Sequence, residues 1–114
     1  MTIDRVDQVL LEVGISPHLR GYKYLKFALN RLLGSPGTIH QMGNLYKEIA
    51  TEYNTKAPCV ERGMRYAIES AFNGKDNSGL HKYLGSTINL YTGKVSNSTF
   101  LSVIALYLGG NSNG

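Results

Sequence analysis

The 114-residue chain has one cysteine, Cys59, and no tryptophan. A single cysteine excludes an internal disulfide, so a reducing compartment is expected, with the cytoplasm as the default. No apolar run approaches the roughly 18 residues of a membrane span, and no membrane partner is expected. The opening MTIDRVDQVLLEVG lacks a basic start, and charges interrupt its apolar positions, so it does not read as a signal peptide. The three histidines, His18, His40 and His81, are scattered without metal-ligand spacing. No glycine-rich phosphate loop of the G-x-x-x-x-G-K-[ST] or G-x-G-x-x-G type is present. Neither a metal, a cofactor nor an enzyme is therefore expected. Acids are also few, 8 against 12 Lys and Arg, giving a formal net charge of +4 and a pI near 9.3. That balance favours an anionic partner, although many small proteins share it.

What is present suits one domain with a single core: apolar residues make up 42% of the chain. Ile3, Val6, Val9, Leu10 and Val13 recur at helical spacing, with Thr2 or Asp4 as a start and Gly14 as a stop. A second helix is predicted from about Pro17 to Leu33, buried through Leu19, Tyr22, Leu25, Leu29, Leu32 and Leu33. It also carries Arg20, Lys23, Lys26 and Arg31 with no acid, either a solvated face or a phosphate-facing flank. Gly34-Ser35-Pro36-Gly37 breaks the pattern. A turn of helix is predicted around Ile39 to Met42, ended by Gly43-Asn44. Further helices are predicted at 45–53, 59–72, 80–84 and 98–108, with a loop at 73–79 and an irregular connector at 86–95. The last helix is apolar almost all round, hence centrally buried or an association surface. Asn97-Ser98-Thr99 matches a glycosylation acceptor but reads better as a helix cap by Ser96 or Asn97. The expected fold is all-α: about six helices in one compact domain over residues 1–109, then a flexible tail at 110–114.

The chain is organised around Leu45 to Phe72, a helix, a short turn and a second helix. With Val60 at zero and roughly 100° per residue, Met64, Ala67, Ile68 and Ala71 fall within ~80° of it, a buried stripe. Arg65 falls near 140° and Arg62 near 200°, with Glu61 near 100° at the stripe's edge. Both arginines thus project away from the core. That is the plan of a helix-turn-helix whose second helix enters the major groove of double-stranded DNA. Pro58 suits the first turn, with Thr55 or Ala57 at the cap, and the helix N-terminus offers N–H groups to a phosphate. Spacing alone leaves a plainer reading open, with Glu61 and Arg65 as an ordinary i,i+4 surface pair. Cys59 is open to a reactive-thiol reading as well as to that of a residue at the DNA-facing end.

NTKAPCVERGMRYAIESAF resembles the recognition-helix segment of the C-terminal effector domain of the stage zero sporulation protein A family, response regulators that initiate sporulation. EVGISPHLRGYKYLKFAL is similar to the segment joining that family's first two helices. LYKEIATEYNT is similar to the first helix of its helix-turn-helix, and SNSTFLSVIA to the start of its last helix. The resemblance implies a six-helix fold that binds short promoter boxes, pairs as a homodimer on tandem sites, and represses or activates transcription. It implies base contacts by Glu61, Arg62 and Arg65, with Lys56, Cys59, His18, Arg20 and Lys94 flanking them or meeting the backbone. It further implies that roughly Leu80 to Leu90 meets RNA polymerase and its sigma factor. Where the family has Ser-Arg before Val-Glu-Arg, this chain has Pro58-Cys59, which implies an altered affinity or site preference. Full-length members carry a receiver domain for which this chain has no strand–Asp pattern, so an excised domain or a stand-alone homologue is expected. The alternative is a protein-interaction or dimerisation module that has lost specific DNA binding.

Overall fold

A computed structural model describes residues 4–74, 77–85 and 95–110. Among them every regular element is helical: α1 (Arg5–Val13), α2 (Arg20–Gly34), a 3-10 helix (Pro36–His40), α3 (Met42–Glu52), α4 (Ala57–Phe72), α5 (Ser78–Leu84) and α6 (Asn97–Gly110). The expected all-α fold of six α-helices is what forms. Lys94 and nearly all of the connector expected at 86–95 lie outside the described residues.

Local chemistry sets the ends. Asp4 caps α1 by accepting the Asp7 N–H, and Asp7 returns the contact by accepting the Asp4 N–H, a reciprocal capping box. Gly14 closes α1 at φ +105, a conformation that glycine adopts without a Cβ penalty. Ser96 starts α6, its Oγ accepting the Thr99 N–H and its carbonyl the Phe100 N–H.

α2 is the central helix and packs against α1, α3, α4, α6 and the 3-10 helix. One core cluster joins all six helices, with Leu10, Leu25, Leu29, Ile49, Met64, Ile68, Phe100, Leu101 and Ile104 among its buried members. At the crossing of α2 and α4 the backbones touch. A Cβ on Gly21 would collide with the Gly63 carbonyl oxygen and crowd the Ala67 Cβ. Two glycines facing each other let the axes approach more closely than side chains allow.

Several expected boundaries differ. α2 begins at Arg20, not Pro17, because Leu19 is extended and the 3 residues before it form a turn. The helical turn expected at Ile39 to Met42 is instead the 3-10 helix Pro36–His40. Gly43-Asn44 does not stop a helix but lies in the first turn of α3, where N–H groups have no intrahelical partner and weak helix formers cost little. α5 starts two residues early, at Ser78. α6 runs to Gly110, two residues past the helix end expected at 108. Leu33, expected inside, is 40% exposed, while Tyr24 and Ala28 are buried in its stead. The last helix is not buried all round: Phe100, Leu101, Ile104 and Leu108 are buried, while Leu106 is 73% exposed.

Candidate nucleic-acid interface

α3 ends in a Schellman motif. The Asn54 N–H donates to the Thr51 carbonyl and the Thr55 N–H to the Ala50 carbonyl, while Asn54 takes φ +53. Asparagine is among the few residues besides glycine that tolerate this left-handed region. Only Tyr53, Asn54, Thr55 and Lys56 therefore separate α3 from α4, with Lys56 at the N-cap in extended conformation. That replaces Thr55 or Ala57, the caps expected from sequence. Tyr53, at the C-cap of α3, is held from behind by α2: its ring meets Tyr24 at 5.6 Å and Phe27 at 6.3 Å, and Lys23 Nζ lies 4.9 Å from it. The turn between the two helices is thus fixed by backbone hydrogen bonds and by an aromatic cluster.

On α4, Val60, Met64, Ala67, Ile68 and Ala71 are all buried, the stripe that the helical wheel predicts. Arg62, Arg65 and Tyr66 are exposed, and Glu61 is half-buried at the edge. The outward side chains are ordered rather than loose. Arg65 Nη1 donates to Glu61 Oε1 at 2.7 Å, one turn away. Arg62 Nε donates to the Pro58 carbonyl at 3.3 Å. Each arginine therefore keeps at least one terminal amine pointing into solvent.

Of the flanking residues, Lys56 and Cys59 sit on α4's first turn and are exposed. The Cys59 N–H already donates to the Lys56 carbonyl at 2.9 Å, and Pro58 has no N–H. The helix start consequently offers fewer amides to a phosphate than its sequence implies. His18 and Arg20 are exposed, and Arg20 directly precedes the Gly21–Gly63 contact between α2 and α4.

The basic face of α2 is largely spoken for. Lys26 donates to Asp7 at 2.8 Å, Arg31 to Glu48 at 2.7 Å, and Lys23 sits on the tyrosine rings. Among the described residues only Arg20 of the four has no ion-pair or ring partner. Asp7 is buried and held well below the usual carboxylate range, at about 2, chiefly by the Lys26 and Tyr22 hydrogen bonds. This network braces α1 against α2.

Sequence reasoning missed two residues near the interface. Asn97 is 7% exposed, and its Nδ2 donates to the Tyr46 hydroxyl at 3.2 Å and to the Glu61 carbonyl at 3.1 Å. Burial pushes the Tyr46 phenol up. No one-dimensional signal marks Asn97, because its partners lie on other helices. Gly63 was visible as an isolated glycine inside a helical pattern, which often marks close backbone approach.

No group of three or more His, Cys, Asp or Glu residues that could hold a metal ion exists among the described residues. No helix among them is long and apolar enough to cross a membrane. Residues 6–108 match the family described as "Sporulation initiation factor Spo0A C terminal". This is a family of DNA-binding regulators of transcription in sporulation, and it is not an enzyme family. The match reaches all six α-helices, α4 with its outward arginines included, and the chain belongs to the Spo0A C-terminal family.

Proposed function

We propose that this chain is a cytoplasmic, sequence-specific transcription regulator that binds double-stranded DNA as a helix-turn-helix, with α4 in the major groove. The observation that carries the reading is α4 itself: one face wholly buried, and Glu61, Arg62 and Arg65 side by side on the other. Arginine bridges guanine O6 and N7, and a carboxylate accepts from the cytosine amino group. Arg62, anchored through Nε, has its terminal fork available for guanine. Arg65 and Glu61 form a joined unit with a donor and an acceptor edge, suited to neighbouring guanine and cytosine. Lys56, Arg20 and His18, all exposed, are the residues we assign to backbone phosphates.

Selection from a random duplex pool, followed by anisotropy titrations against salt, tests the reading. Specific binding should emerge, and its affinity should fall steeply with salt as counterions are released. Absence of a shift at any salt would refute it.

A second reading concerns association. An apolar groove of about 560 Å³ lies between the end of α2, the 3-10 helix and α6, lined by Leu32, Leu33, Pro36, Ile39, Ala105 and Leu106. With Leu106 so exposed, this favours a protein contact, which we assign to a homodimer on tandem sites. Sedimentation with and without tandem duplex tests it: one protein per duplex at saturation argues against the dimer.

A further inference from the structure

Asn97 opens α6, yet its side chain does not serve the helix end. Ser96 fills that role through its Oγ. The Asn97 amide is instead turned inward, where it donates to the Tyr46 hydroxyl of α3 and to the Glu61 carbonyl of α4. It is one of two buried polar residues among those described, the other being Asp7 in the α1–α2 network. The carbonyl it holds belongs to one base-reading candidate, Glu61, and is one residue from a second, Arg62. The third, Arg65, is linked to the same residue through the Glu61 carboxylate.

We propose that Asn97 is a positioning residue for DNA recognition, a three-helix clamp that fixes the first half of α4 so that its side chains meet the bases in one register. The proposal rests on the DNA-binding reading above. Base contacts demand placement within about 0.5 Å. Phosphate contacts orient the protein without carrying sequence information. Loosening the clamp therefore erodes discrimination before it erodes total affinity. Phe100 and Leu101, buried one turn on, anchor the α6 side of the clamp in the core.

The test compares wild type, Asn97→Ala and Tyr46→Phe on a duplex selected by the wild type and on a random-sequence duplex. Asn97→Ala should weaken the selected duplex about five- to tenfold, the value of one to two hydrogen bonds, and leave the random duplex within about twofold. The salt dependence should not change, because no phosphate contact is lost. Tyr46→Phe removes the α3 leg of the clamp but keeps the bond to the Glu61 carbonyl, and should lower the ratio of the two affinities by less than Asn97→Ala does, about two- to threefold. Equal losses on both duplexes, or none, with Asn97→Ala would overturn the proposal.

Should Asn97→Ala fail to fold, the wild type alone decides. The Asn97 side-chain amide resonances should shift on saturation with the selected duplex and not with the random one; the same shift with both overturns the proposal. A wild type without preference for any duplex refutes the DNA reading itself. A preference undiminished in Asn97→Ala refutes only the positioning role.

Discussion

Replacing Asp7 by Asn should produce a stability loss that depends on pH in a way set by one buried carboxylate. Asp7 lies in α1 with both oxygens engaged: the Tyr22 hydroxyl donates to Oδ1 at 2.7 Å and Lys26 Nζ to Oδ2 at 2.8 Å. These bonds favour the ionised form and lower its pKa from 3.8 to about 2. The folded state thus binds this proton less readily than the unfolded state. The linked stabilisation is fully present above about pH 4 and is lost as the pH falls toward 2. Each pH unit between the two values is worth about 1.4 kcal/mol, so the contribution is about 2 kcal/mol. The same hydrogen bond to Asp7 raises the Lys26 pKa, while the Tyr22 phenol is pushed up first by burial and then by Asp7.

Asn keeps the shape and removes the charge. At pH 7 the variant should be less stable by about 2 kcal/mol, which for a domain of this size lowers Tm by about 8 °C. Urea unfolding followed by far-ultraviolet circular dichroism, repeated from pH 7 to pH 2.5, measures the difference between the two proteins. Carboxylates common to both cancel in that difference. It should be flat down to about pH 4 and then shrink toward zero. A difference that stays constant to pH 2.5 would show that Asp7 acts through packing or capping and not through its charge.

Arg62→Ala and Arg65→Ala should each weaken selected DNA by about 1–3 kcal/mol while weakening random duplex less; equal losses would make both residues phosphate contacts only. Met64→Asp and Ile68→Asp should abolish cooperative thermal unfolding, because each buries a charge with no partner; a wild-type Tm would mean that α4 is rotated from its assigned orientation. Gly21→Ala should cost about 1–3 kcal/mol of stability, since its Cβ meets the rigid Gly63 carbonyl. Gly63→Ala should cost less, because its Cβ meets only the Tyr24 ring, at 3.0 Å, and alanine is the better helix former; the reverse order in urea unfolding would refute the backbone contact.

α4 was legible in the sequence because a single periodicity governs it. Every position of its buried stripe follows from 3.6-residue spacing, and the arginines fall outside by the same geometry. The start of α3 was not, because Gly43 and Asn44 carry the same letters in a loop as in a first helical turn. Which of the two forms depends on Met42 and Ile39 packing against the core. Asp7 was hidden for a related reason. An acid among apolar residues looks solvent-facing until Tyr22 and Lys26, 15 and 19 residues on, close over it. The Asp4–Asp7 spacing did carry a local signal of reciprocal capping. Among the site residues, the outward face was readable and its restraints were not. Asn97 and the Gly21–Gly63 contact exist only once α2, α4 and α6 have packed.

Those restraints give the outward charges different roles. Arg62 leans on the neutral carbonyl of Pro58, whereas Arg65 leans on a carboxylate. On the proposed DNA-reading face Glu61 would therefore do two opposed things. It repels phosphates, and it holds Arg65 in one plane while offering an acceptor of its own. Glu61→Gln keeps the size and the acceptor oxygen but removes the charge that repels and the ionic hold on Arg65. Binding to random duplex, driven by phosphate charge, should then tighten, and the salt dependence should steepen slightly. Binding to selected duplex should fail to gain as much, so that the ratio of selected to random affinity drops by about tenfold, within the range of a single base-reading contact. Anisotropy titrations on both duplexes at two salt concentrations measure this directly. If both affinities rise together with the ratio preserved, Glu61 is only a repulsive surface charge and Arg65 needs no partner to read its base.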